Sequence, residues 1–274
     1  MHTNKSDIAA GYGAEQEGSD GSMPQEFILV CAGKDGARAQ KSGLPRLHLS
    51  LGLRPDGGLR RLTLPGPDGA GCYLGVCDLG MERFSASACA QLIEEAQRLG
   101  AAGLAADCER DSAPVREFLA ALDSQCAARG LPLFVPLARA DCVQNAIVIA
   151  DTAISGGSLR DRFGALLRRY PGRVAADLRP VSRDFLLPAA DPEGVPLSAD
   201  ERDALCARTG AQTFFSRELC ARYFTYMDSA ANGHFVLFDD ADTLREKCRC
   251  LEAVGVRQVF ARYPDVRPLL PVSP

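Results

Sequence analysis

The chain of 274 residues has no tryptophan, three histidines and no Cys-x-x-Cys pair. So few imidazoles and so scattered a set of thiols speak against a zinc site, and no other metal or cofactor is called for. No strand-like run is followed by a Gly-x-Gly-x-x-Gly or phosphate-loop pattern, which removes the usual nucleotide-binding signals. A formal net charge of −4 leaves no basic footprint for nucleic acid. No apolar run is long enough to cross a bilayer, so no membrane partner is expected. The N-terminal stretch Met1–Met23 is rich in Gly, Ser and Glu and has no apolar core of the kind a secretory signal needs. Residues 1–24 therefore read as a disordered tail, with Met23 as an alternative start, and the chain is expected in the cytoplasm.

Eleven cysteines are present, an odd number at irregular spacing. Without an export signal they read as small buried hydrophobes in a reducing compartment. Cys248 and Cys250 flank one residue of a predicted helix and do not face each other.

From Phe27 onward, strand-like and helix-like segments alternate. Strands are expected at Phe27–Cys31, Leu47–Leu53, Tyr73–Cys77, Gly103–Asp107, Leu133–Leu137, Ala146–Ala150, Val174–Leu178 and Val256–Ala261. Pro55-Asp56-Gly57-Gly58 turns the second into a hairpin with Leu59–Leu64. Helices are expected at Ser85–Leu99, Ala113–Arg129, Leu159–Tyr170 and Thr243–Val254, punctuated by Pro114 and by Gly100, Gly130, Pro171-Gly172 and Gly255. Such alternation predicts an α/β fold, a (β/α)8 TIM barrel over residues 25–274, with a doubly wound open sheet as the alternative. Residues 179–242 lie between the seventh and eighth strands and are too long for a simple connection. They hold a Pro/Asp/Gly loop, a helix at Ser198–Arg208 and a hairpin of Arg222–Tyr226 with His234–Phe238. They read as a small α+β insertion, with Val181–Asp240 packed beside the mouth.

Chemistry in such a barrel sits at the C-terminal ends of the strands. Those ends carry Asp78, then Asp107 and Glu109, Asp151, Asp177 with Arg179, and Arg262 with Tyr263. Asp107 and Glu109 are two apart, a spacing that puts both carboxylates on one face of a strand, where repulsion favours keeping a proton on one of them. That is what general-acid work needs. The plain alternative is a polar strand end entering a loop. A ring of acids suits sugar hydroxyls better than phosphate, which wants glycines and cations.

The hairpin Leu47–Leu64, Phe84-Ser85, Gly103 with Asp107-Cys108-Glu109, and the segment Phe224–Lys247 form ordered blocks which, across Leu47 to Tyr263, resemble the family 18 glycoside hydrolases, the chitinase-like barrels, nearest to the branch of spore-cortex peptidoglycan hydrolases. The hairpin Leu47–Leu64 with its Pro-Asp-Gly-Gly turn is one. Phe84-Ser85, Gly103 and Asp107-Cys108-Glu109 are similar to the approach to the signature D-x-x-D-x-D-x-E. Phe224-Thr225-Tyr226, Gly233–Asp240 and Thr243–Lys247 are similar to a further block of the family. The resemblance implies a retaining, substrate-assisted glycoside hydrolase acting on or binding N-acetylated β-glycans such as peptidoglycan fragments. Glu109 matches its general acid, Asp107 the carboxylate that orients the N-acetyl group, and Asp151 the acid after the sixth strand. Asp78, Asp177, Arg179, Arg262 and Tyr263 are the expected substrate-binding residues around them. Against the pattern, Ala102 and Ala105 stand where two signature aspartates belong, Ala150 replaces a tyrosine, and Arg262 falls where a tryptophan floors the sugar. The alternative is a degenerate, catalytically inactive barrel serving as a glycan-binding or protein-interaction module, and the oligomeric state stays open.

Other conspicuous residues have plainer expectations. Asp239-Asp240 reads as a helix N-cap, and His234 as a hydrogen-bonded packing residue. Tyr223, Phe224 and Tyr226 read as core, and Arg245 and Lys247 as a solvated helix face.

Overall fold

The computed structural model describes residues 26–31, 35–62, 71–188, 191 and 193–270. The expected tail and residues 63–64 of the expected hairpin lie outside them. The chain runs β1 (Glu26–Cys31), α1 (Gly36–Gln40), β2 (Arg46–Leu53), β3 (Leu59–Arg61), β4 (Tyr73–Asp78), α2 (Ala86–Arg98), β5 (Gly103–Asp107), α3 (Ala113–Ala127), β6 (Leu133–Pro136), β7 (Ile147–Asp151), α4 (Leu159–Arg169) and β8 (Val174–Asp177). The insertion follows as β9 (Ser182–Leu187), β10 (Val195–Pro196), α5 (Ala199–Thr209), β11 (Phe214–Ser216), β12 (Ala221–Met227) and β13 (Gly233–Phe238). Then come α6 (Ala241–Val254), β14 (Gln258–Arg262) and α7 (Tyr263–Val266).

Strands β2, β4, β5, β6, β7, β8 and β14 pair in parallel in that order, and β1 pairs in parallel with both β14 and β2. The sheet therefore closes, and the fold is the (β/α)8 barrel rather than an open sheet. Alternation divides its residues. Phe27, Leu74, Val76, Leu104, Ala106, Val148, Ala176, Val259 and Ala261 belong to the large core shared with the helices. Ile28, Leu47, Tyr73, Ala105, Phe134, Ala175 and Phe260 form a separate cluster inside the barrel. Helix α2 shows how the outer layer is held: Ala88, Cys89, Leu92, Ile93 and Ala96 are buried at helical spacing. Gly57 turns the β2–β3 hairpin with a φ of 81°, and an added Cβ would stand 2.5 Å from the Arg83 carbonyl. Between β6 and β7 a 3-10 turn, Leu137–Cys142, takes the place of a full helix.

The insertion builds its own five-stranded antiparallel sheet, in the order β10-β9-β13-β12-β11. The expected hairpin is its centre, with Tyr226 opposite His234 and Arg222 opposite Phe238. Leu205 of α5 covers Phe224, Val236 and Phe238 on one face. A capping box between Ser198 and Glu201 starts α5.

Where the insertion returns to the barrel, the expectation for Lys247 fails. Its side chain is 1% exposed and its Nζ lies 2.6 Å from a fully buried Asp239 carboxylate. Asp239 also accepts from the Val181 backbone N–H and the Thr243 hydroxyl, both at 2.8 Å. Lys247 is buried because it shares the inward stripe of α6 with Thr243, Leu244 and Leu251. Asp240, the other half of the doublet, is the expected N-cap, with Thr243 completing a capping box. Arg245 is exposed as expected, paired with Asp242.

Candidate active site

The barrel interior is layered. At its N-terminal end the Tyr73 hydroxyl and the Gln258 side chain both donate to Glu26. Above them Tyr73, Phe134 and Phe260 meet edge to face, with Phe134 and Phe260 centroids 5.0 Å apart. By the two-residue period, the next inward positions are Cys77, Asp107, Asp151, Asp177 and Arg262. Polar groups thus crown an aromatic plug at the C-terminal mouth.

Asp107 ends β5 and lies opposite Cys77 of β4, while Asp151 lies opposite Asp177. Among the described residues, neither the Asp107 nor the Glu109 carboxylate accepts a hydrogen bond. Asp107 is solvent-accessible yet crowded: desolvation by its surroundings first, and the Glu109 charge second, push its pKa above the ordinary carboxylate range, while Arg179 opposes. Burial likewise pushes Asp177 up, against the pull of Arg179, with Asp151 and Asp265 adding to the rise. Arg179 sits in the field of Asp177, Asp151 and Glu109, and its guanidinium lies 2.9 Å from Asp177. Asp151, Asp177, Arg179, Asp107 and Glu109 therefore form one electrostatic cluster across the mouth.

Of the remaining expected site residues, Asp78 and Tyr263 stand elsewhere, while Arg262 keeps the inward parity of β14. Asp78 is out of phase with Cys77 and points away from the mouth. Its carboxylate is 3% exposed, held by Arg110 and by the backbone N–H groups of Gly80 and Met81. Tyr263 begins α7 and packs on the outer core. Arg262 is exposed, 3.7 Å from Asp265. Ala105 is buried in the plug beside Phe134 and Phe260, and Ala150 belongs to the outer core. His234 packs as expected: its ring stacks on Tyr226 with centroids 4.5 Å apart and its Nδ1 lies 3.0 Å from Asp184. Phe224 is fully buried, Tyr226 donates to Asp184, and Tyr223 stacks on Phe235 at 5.3 Å.

One supporting residue has no sequence signal of its own. Arg139, in the 3-10 turn after β6, is nearly buried; it donates to the Glu109 carbonyl at 2.8 Å and pairs with Asp111 at 3.1 Å. Arg116 bridges Asp111 and Asp141 behind it. The loop carrying Glu109 is thereby tied to the next strand. Among the described residues no three of His, Cys, Asp or Glu are grouped to hold a metal, and no helix is long and apolar enough to cross a membrane. Two cavities, against α4 and α6, lie off the mouth and share none of its residues.

No protein-family model and no curated protein matches the sequence. Solved structures do match the fold. The spore cortex-lytic enzyme SleL of Bacillus cereus superposes with a TM-score of 0.56 at 16% identity, over 88% of this chain and 71% of that one. A chitinase of Chromobacterium violaceum gives 0.59 at 17% identity, over 86% of this chain and 93% of that one. A putative sporulation-specific glycosylase of Bacillus subtilis, ydhD, gives 0.53 at 14%, over 77% and 88%. The chain thus has the barrel fold of chitinases and cortex-lytic enzymes, the fold that the sequence resemblance implies.

Proposed function

We propose that the protein is a diverged chitinase-like barrel that binds N-acetylated β-glycans, such as peptidoglycan fragments, and cleaves them at most slowly. The observation that carries this is the Asp107–Glu109 pair: two interacting carboxylates at the end of β5, both without a hydrogen bond among the described residues, on the barrel fold of glycan-cleaving enzymes. In this reading Glu109 donates a proton to the glycosidic oxygen as the bond to the sugar C1 breaks. The substrate's own acetamido oxygen attacks C1, and Asp107 holds the acetamido N–H. Arg139 positions the Glu109 backbone. Arg179 is a cation for the carboxylates that peptidoglycan fragments carry and chitin lacks. The free thiols fit a reducing, cytoplasmic setting and therefore soluble fragments as ligands.

The aromatic plug supports slow turnover. Under Asp107 the position of a second signature acid is Ala105, sealed by Phe134 and Phe260, so nothing beneath Asp107 fixes its orientation. No tryptophan floors the sugar. Positioning accounts for several of the ~7–11 kcal/mol that orientation can supply, so its loss costs orders of magnitude in rate. The same observation favours a second reading, an inactive binding module. The test compares wild type with Glu109→Gln on chito-oligosaccharides and on peptidoglycan fragments, following both cleavage and binding. Slow cleavage of fragments, abolished by Glu109→Gln with binding kept, supports a residual hydrolase. Equal inactivity of both with measurable binding supports the module. Absence of binding to either glycan sinks both readings.

A further inference from the structure

Where the insertion meets α6, a cavity of about 380 Å³ is lined by Cys220, Cys250, Arg160, Arg217, Arg249 and Glu246. Cys220 is the residue before β12 and Cys250 lies on α6, thirty positions apart in sequence, and both line this one cavity. Cys220 is buried and has a φ of 51°, a left-handed conformation unusual for a side chain other than glycine or asparagine. Its thiol also lies 3.5 Å from the Arg217 carbonyl. Cys248, by contrast, is buried in the core.

We propose that Cys250 is a peroxide-reactive thiol and that Cys220 is the thiol that resolves it, the pair forming a disulfide that ties the insertion sheet to α6. The Cys250 thiolate attacks one oxygen of a hydroperoxide and breaks the O–O bond. The sulfur becomes a sulfenic acid, oxidised by two electrons, and hydroxide, or alkoxide from an organic peroxide, departs. The Cys220 thiol then attacks the sulfenic sulfur, and water leaves as the S–S bond forms. Arginines on three segments face the site: Arg160 from α4, Arg217 from the loop before β12 and Arg249 from α6. Arg160 stabilises the thiolate and the departing anion, with Arg217 beside it and Arg249 paired to Glu246 at 2.8 Å, while the Glu246 charge opposes. The titration of the thiols agrees. The neighbouring Cys220 thiol first, then Arg160, bring Cys250 below the ordinary thiol value, against burial and Glu246. Burial pushes Cys31 and Cys89 up to about 11 and Cys108, Cys126 and Cys248 up to about 12.

The test treats the full chain with limiting hydrogen peroxide and maps thiols by peptide mass spectrometry. The expected product is one Cys220–Cys250 disulfide, reversed by dithiothreitol, before any other cysteine is consumed. In Cys220→Ser the sulfenic acid persists on Cys250 and is trapped by dimedone. In the unaltered chain, iodoacetamide modifies Cys250 at pH 7 roughly tenfold faster than any other cysteine, the rate falling as pH drops below the thiol's pKa. The alkylation profile stands even if Cys220→Ser fails to fold. Peroxide consuming another cysteine first, or Cys250 alkylating no faster than the rest, overturns the proposal.

Discussion

The chain has two acidic doublets at strand ends, and the structure uses them in opposite ways. Asp239 and Asp240 follow β13 and are spent. Asp239 is buried with Lys247, the Val181 N–H and the Thr243 hydroxyl around it, and Asp240 caps α6. Asp107 ends β5 and Glu109 follows it, and among the described residues their carboxylates have no hydrogen bond and lie in each other's field. In the first, every carboxylate oxygen has a partner; in the second the fold tolerates repulsion and desolvation. Acids alone do not mark a site. Unspent acids on the inward parity of a barrel strand are the ones we propose as a site.

The sharpest way to break this contrast is to strip the spent doublet of its cation. Lys247→Met leaves Asp239 buried without its charged partner, and the expected loss of stability is about 3–5 kcal/mol. Urea unfolding followed by circular dichroism measures it. Asp239→Asn with Lys247→Met removes both charges and should recover much of the loss, because the penalty belongs to the unpaired charge. A Lys247→Met loss under ~1 kcal/mol would mean that water reaches Asp239 and that the joint is not the dry contact described.

Asp78 gives a middle case, since it stands among the strand-end acids yet is spent like Asp239. Asp78→Ala frees two backbone N–H groups and Arg110 and should cost ~2 kcal/mol. Burial alone would raise its pKa, but Arg110 first, then the Met81 and Gly80 N–H groups, hold it below the ordinary value. The sign follows: the unfolded chain takes up the proton first as pH falls. The stabilisation is present above the unfolded pKa, near 4, and is lost as pH drops through the folded one. The gap between wild type and Asp78→Ala should therefore narrow toward pH 3. A gap constant with pH would assign the cost to packing instead of charge.

The barrel was legible because its strands alternate so cleanly. Leu104 and Ala106 face the helices while Ala105 and Asp107 face inward, and the same count runs through β7, β8 and β14. That count also separates Asp78 from Asp107, Asp151 and Asp177, although a list of acids at strand ends does not. Lys247 was misread: it lies three residues after Leu244 and four before Leu251 on one stripe of α6, but a lysine reads as solvated until its partner is known. Arg139 was not legible: nothing local to the turn after β6 says that its guanidinium holds a carbonyl thirty residues upstream. Nor was the meeting of Cys220 and Cys250 on one cavity, which depends on how the insertion docks.

The smallest effect belongs to the unspent pair. Desolvation first and Glu109 second raise the Asp107 pKa, so the fold favours its protonated form. Below the unfolded pKa both states hold the proton and nothing is lost. As pH rises, the unfolded chain releases its proton before the folded one, and stability falls until the folded pKa is passed. At pH 7 the ionised Asp107 is a net burden, and Asp107→Asn should stabilise the protein. Because the carboxylate is solvent-accessible, screening keeps the gain to about 0.5 kcal/mol. Near pH 3 the variant and wild type should unfold together. The comparison needs paired urea titrations at both pH values. Asp177→Asn is a poorer probe, since it also releases Arg179. A loss of stability on Asp107→Asn at pH 7 would show that Asp107 is held like Asp239, as a structural acid. Such a result would remove the unspent character on which the proposed site rests.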